Sequence, residues 1–154
     1  MALPSETRES AVDPETLPGV LQFMKLLWAV VHGLERTSKR MKGEVGVTGP
    51  QRLVLRVVGL FPGLSAGNLA VILHVHPSTL TGIIRRLVRQ RLLVRTHDRE
   101  DRRRAVLRLT KRGSRANATR GGTVESADAR ALGDVSERER AATKRVLEHI
   151  ARRL

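Results

Sequence analysis

The chain has 154 residues, 29 Lys and Arg against 15 Asp and Glu, a formal charge of +14 and no cysteine. This length suits one domain of ordinary size rather than a catalytic domain with a regulatory one attached, and the missing cysteines exclude disulfides, thiolate zinc sites and thiol redox switches. The positive excess favours a polyanionic partner, either nucleic acid or an acidic membrane surface.

Residues 1–16 mix Ser, Glu, Thr, Arg and two prolines without periodicity and are expected to form a flexible arm. No apolar run preceded by basic residues opens the chain, and Val20–Val31 is interrupted by Gln22 and Lys25 and too short to span a bilayer. A cytoplasmic protein without a membrane partner is expected. From Leu17 the positions Leu17, Leu21, Met24, Trp28 and Val31 form one helical stripe, and Val20, Phe23, Leu27, Val30 and Leu34 form a second. A helix at the edge of a small domain can bury one such face in its own core. Residues 17–46 are therefore read as a dimerisation helix and connecting loop of a homodimer, with Gly43 and Gly46 ending the helix.

Thr48 with Gln51 has capping-box spacing, and Leu53, Val54, Val57, Val58 and Leu60 continue as a helix over 50–60, stopped by Phe61-Pro62-Gly63. Ser65 caps a third helix carrying Leu69, Ala70, Ile72 and Leu73. After the tight connection His74-Val75-His76, Pro77 opens a fourth over 77–90. The runs Leu92–Thr96 and Ala105–Leu109 flank the polar stretch 97–104 and predict a β-hairpin with a charged tip. Thr110 caps a helix beginning at Lys111, but Gly113, Gly121 and Gly122 each cost about 1 kcal/mol relative to Ala within a helix, so a kink or break is expected near Gly121. Ser136 with Glu139 repeats the capping box and opens a last helix on which Leu147, Ile150 and Leu154 share a face beside Val146.

Helix, short turn, helix and charged hairpin make a winged helix-turn-helix over 47–110. The fold class is mainly α with a small β-hairpin wing (α+β). Dimerisation helices flank it at 17–46 and 111–154, all within one structural domain. Residues 76–115 hold 13 Arg and Lys against 3 acids, an excess of ten on an ordered scaffold. Double-stranded DNA is the partner this implies. Leu80, Ile83, Ile84 and Leu87 seat the fourth helix, leaving Ser78, Thr79, Thr81, Arg85, Arg86 and Arg89 for bases and phosphates. Alone, such a basic helix is more often a solvated face. The neighbouring wing reverses that preference, because Arg99, Arg102, Arg103 and Arg104 at its tip suit a narrow minor groove. Asp98 and Asp101 are expected to pair with these arginines and buttress the loop.

His74 and His76 lack a third ligand and are read as turn-capping or phosphate-contacting residues, with no metal. His32 and Trp28, one turn apart, could line an effector pocket, but core or interface packing is favoured. No nucleophile elbow, phosphate loop, carboxylate pair or nucleotide fingerprint is present, so neither an enzyme nor a cofactor is expected. The rival to a sequence-specific regulator is an architectural protein that binds DNA through charge with little sequence preference.

Residues 17–115 resemble the MarR family of bacterial transcription regulators. The resemblance rests on Val47-Thr48 and Gln51, Pro62-Gly63 before Leu69-Ala70, Ser78-Thr79-Leu80-Thr81 leading to Arg86-Leu87, and Leu92-Leu93-Val94-Arg95. It continues through Asp98-Arg99-Glu100-Asp101-Arg102-Arg103 to Leu109-Thr110 and Gly113. It implies a homodimer joined by its terminal helices and bound to a palindromic operator, usually as a repressor that a small, often aromatic or phenolic, effector releases. By the same resemblance Ser78, Thr79, Thr81 and Arg85 are the major-groove set, Arg86 a backbone or structural arginine, and Arg102 and Arg103 the wing pair with Asp101 as buttress. Three departures stand out. Gly82 replaces a larger, often basic residue, Arg91 replaces the glycine that turns the chain into the hairpin, and Gly121-Gly122 disturbs the stem helix.

Overall fold

The computed structural model describes residues 16–98, 101 and 103–153. The expected arm at 1–16 falls almost wholly outside them, as do Arg99, Glu100, Arg102 and Leu154. The chain divides into two compact units, one ending at Leu34 and one spanning Glu35–Leu154. Helix α1 (Gly19–Val45) passes from one into the other. It runs through Gly43, which the sequence reading made a terminator, because one glycine costs only about 1 kcal/mol in so long a helix. The helix stops at Gly46, whose φ of +81° leaves helical space.

In the second unit, Thr48 caps α2 (Gly49–Leu60): its Oγ1 accepts from the Gln51 amide at 3.5 Å, and Gln51 Oε1 accepts from the Thr48 amide at 3.0 Å. Ser65 caps α3 (Ala66–Leu73), and α4 (Pro77–Arg89) follows. Between them His74 adopts a left-handed conformation at φ +50°. Strands β1 (Leu93–His97) and β2 (Ala105–Leu109) pair antiparallel, with Leu93 opposite Leu109 and His97 opposite Ala105. The first strand thus begins one residue later than expected and takes in His97. Leu92 belongs instead to the helix end, its amide donating to Leu87 O at 2.9 Å.

The core gathers Val54, Leu55 and Val58 of α2, Leu69 of α3, Leu80, Ile84 and Leu87 of α4, and Leu93 and Leu107 of the hairpin. Each such buried side chain contributes about 1.5–3 kcal/mol, which fixes α4 by one face and leaves the other outside. Gly63 and Leu64 also join β2: the Gly63 amide donates to Leu107 O at 3.1 Å, and the Leu107 amide donates to Leu64 O at 2.9 Å. This third rung ties the hairpin to the turn after α2.

The expected break falls between α5 (Lys111–Ala118, capped by Thr110) and α6 (Val124–Ala131, capped by Thr123). Gly122 turns the chain there at φ +67°. Helix α6 had no counterpart in the sequence reading. The Ser136–Glu139 capping box opens α7 (Glu137–Ala151) as expected.

Candidate nucleic-acid interface

Helix α4 begins at His76, which takes the cap position more usually held by Ser, Thr, Asp or Asn. Its Nδ1 accepts from the Ser78 amide at 3.3 Å and lies 2.7 Å from Ser78 Oγ. This is the capping role foreseen for a histidine of the turn, and it ties down the Ser78 hydroxyl. Ser78, Thr79, Thr81, Arg85, Arg86 and Arg89 are all exposed, while Leu80, Ile84 and Leu87 are buried. Thr81 Oγ1 donates to Pro77 O at 2.8 Å, a bond within its own helix.

Ser78, Gly82, Arg85 and Arg89 follow one another at i, i+4, i+7 and i+11, so they form a line opposite the buried residues. Gly82 sits mid-helix, where glycine costs about 1 kcal/mol against alanine. A Cβ built there meets nothing within 4 Å.

At the wing, Asp98 Oδ1 accepts from the Asp101 amide at 3.4 Å, and Asp101 Oδ1 accepts from the Arg103 amide at 2.9 Å. The Asp98 amide donates to Arg104 O at 2.8 Å and the Arg104 amide to Asp101 O at 2.9 Å, closing the turn. Asp101 therefore holds the described part of the tip through the Arg103 backbone. Arg103 and Arg104 are exposed. Arg99 and Arg102 lie outside the described residues. Arg95 and Arg108, which the sequence reading did not single out, are exposed on the two strands.

The wing is anchored at its base by Thr110. Its hydroxyl donates to Arg91 O at 2.6 Å and accepts from the Gly113 amide at 2.9 Å, and its amide donates to Leu92 O at 3.1 Å. A Cβ on Gly113 would collide with the Leu92 carbonyl, so this glycine is demanded by a close approach.

Arg52, also missed, is 1% exposed although charged. Its Nε donates to Glu125 Oε1 at 2.7 Å, and its terminal nitrogens donate to Ala116 O and, at 2.7 Å, to Thr119 O. Burial by itself would raise the Glu125 carboxyl, but hydrogen bonds and the charge of Arg52 outweigh it and hold the pKa below its ordinary value. Burial and the neighbouring Glu125 push Asp128 upward.

The sequence model of the MarR family matches residues 45–104, from the end of α1 to the turn before β2. The HTH-type transcriptional regulator TtmR of Methylorubrum extorquens (strain PA1) is 32% identical over 101 residues, 66% of this chain and 51% of its own length. The chain thus spans about half the length of that curated relative. The PcaV transcriptional regulator from Streptomyces coelicolor, solved with its natural ligand, is 27% identical at a TM-score of 0.67, covering 92% of this chain and 96% of that one. Over residues 45–104 the chain is similar to the MarR family. The Staphylococcus aureus MepR–DNA complex, at 19% identity, shares the MarR-family fold with a TM-score of 0.73 over 86% of this chain and 96% of that one.

That similarity covers the site. A winged helix-turn-helix is formed here, with α3 and α4 joined by the His74 turn and the β1–β2 wing following. Among the described residues no helix is long and apolar enough to cross a membrane, and no three His, Asp or Glu side chains converge as a metal set.

Proposed function

We propose that the chain is a homodimeric, sequence-specific double-stranded-DNA-binding regulator, a repressor that leaves a palindromic operator when a small molecule binds. The observation that carries this reading is α4 itself: an apolar face locked into the core, and a polar and basic face outward, beside a wing presenting Arg103 and Arg104. Ser78, Thr79, Arg85, Arg86 and Arg89 face the major groove, with Thr81 contributing through its methyl, and Arg99, Arg102, Arg103 and Arg104 serve the wing. Asp98 and Asp101 shape the tip. Residues 47–110 bind DNA, while 17–46 and 111–154 pair two copies. The protein acts in the cytoplasm without catalytic chemistry or a cofactor. A DNA complex among its structural neighbours and a ligand complex of PcaV support the two kinds of partner.

Footprinting across the DNA upstream of its own gene is expected to yield one protected palindrome. Uniform coverage would instead favour an architectural protein. On that operator, Arg85→Ala should cost roughly 1–3 kcal/mol and much less on random DNA, since a base contact is selective. Arg103→Ala with Arg104→Ala should weaken binding to both, lowering the log–log salt slope by about 0.9 for each phosphate that is no longer neutralised. A double variant binding both DNAs like the parent at every salt concentration makes the wing a merely solvated tip.

A further inference from the structure

Gly82 occupies the middle of the outward line on α4, with Ser78 one turn before it and Arg85 and Arg86 about one turn after. Its own chain does not explain it. The residue is in ordinary helical conformation, so no left-handed backbone requires glycine, and a Cβ would enter open space. Glycine weakens the helix at this point and gains no internal packing in return. Whatever the missing side chain serves approaches from outside, on the face that carries the arginines.

Resting on the DNA-reading function proposed above, we infer that Gly82 determines specificity, its bare Cα forming a seat for the C5-methyl group of one thymine in each half-site. The amide and carbonyl of a mid-helix residue are committed to the helix, and glycine has no side-chain donor or acceptor, so its contact is one of shape. Of the groups displayed in the major groove, the thymine methyl is the apolar one that projects. Ser78, short and held by His76, allows the same close approach. Arg85 and Arg86 are long enough to reach outward on the neighbouring turn without filling the seat. A Cβ at residue 82 would occupy the place of the methyl and hold α4 away from the base edges.

The test sets stability against recognition. In the full-length protein, Gly82→Ala should raise the unfolding midpoint, because alanine is the better helix former, and yet bind the operator about tenfold or more weakly. Its affinity for random duplex should stay within about twofold of the parent, the phosphate-binding side chains being unchanged. Replacing operator thymines by uracil removes the methyl alone. At one position per half-site this exchange should weaken the parent several-fold and restore the variant to about the parent's affinity on the same uracil DNA. Equal operator affinity of parent and Gly82→Ala overturns the inference, as does a loss that no uracil exchange restores. A parent that binds operator and random DNA alike refutes the DNA-reading function itself, an outcome visible before any variant is made.

Discussion

Arg91 holds a left-handed conformation at φ +57°, a region where a side chain costs roughly 1–2 kcal/mol. Its amide donates to Val88 O and that of Leu92 to Leu87 O, both at 2.9 Å, the Schellman pairing that glycine ordinarily closes. Thr110 holds the Arg91 carbonyl from the other side, so the surroundings impose the conformation on a residue that resists it. Arg91→Gly should therefore stabilise the fold by about 0.5–1 kcal/mol, the relief of strain exceeding the extra chain entropy of glycine. For a chain of this size that is a rise of roughly 1–4 °C in Tm by calorimetry. A lowered Tm would show that the arginine makes an interaction outweighing its backbone strain. The departure at residue 91 was visible in the sequence through the resemblance, which places a glycine there. The need for Gly113 was not: counted as a cost to α5, it is required by the Leu92 carbonyl, 21 positions earlier in the chain, which no local pattern reveals.

At the scale of elements, the α5–α6 corner depends on one buried side chain of α2. Arg52 satisfies carbonyls at the end of α5, where a positive charge also complements the helix dipole, and grips Glu125 in the first turn of α6. Removing the carboxylate strands a buried guanidinium. Because Glu125 is 40% exposed, water screens part of the loss, and Glu125→Gln should destabilise the fold by about 1–2 kcal/mol at neutral pH rather than by the 3–5 of a fully buried pair. The folded-state pKa of Glu125 is depressed, so its contribution is complete above the ordinary value of 4.5 and is lost as pH falls through the folded value. Chemical denaturation of parent and variant should thus converge in acid. A gap that stays constant down to pH 3 would show that the ion pair is not what holds this corner. Helices α2 and α3 were legible because each combines a cap with a 3.6-residue apolar period, at Thr48 and Ser65. Helix α6 has no fully buried apolar residue, packs Val124 half-buried against the core and is gripped by Arg52, so its sequence carries no such stripe.

For the whole molecule the decisive surface is the N-terminal part of α1, where both predicted stripes remain open within one chain. Val20, Leu26, Val30 and Trp28 are all more than half exposed, Trp28 at 64%. Apolar area of that extent on one helix favours burial against a second copy at about 25 cal/mol per Å². Val146 and Leu147 of α7 are also exposed, on the face the sequence reading assigned to pairing. On the proposed homodimer, the surface that would cover these stripes lies on a second copy, which is why the stripes could be read from the sequence while their counterpart could not. Trp28 is the only tryptophan, so it reports on this surface without labelling. Sedimentation at micromolar concentration should give about twice the chain mass, with a blue-shifted Trp28 emission that moves to the red on dilution as the rings return to water. Trp28→Arg should yield a folded monomer, because the side chain supports no core within its own chain, and should abolish tight operator binding while leaving weak, salt-sensitive binding to any duplex. Two recognition helices carried by one dimer must meet major grooves about 10 bp apart, so inserting about 5 bp between half-sites should cost the parent its operator affinity and leave the monomeric variant unaffected. A parent that sediments as a monomer, with emission independent of concentration and indifference to the insertion, would show that the exposed stripes of α1 serve something other than pairing.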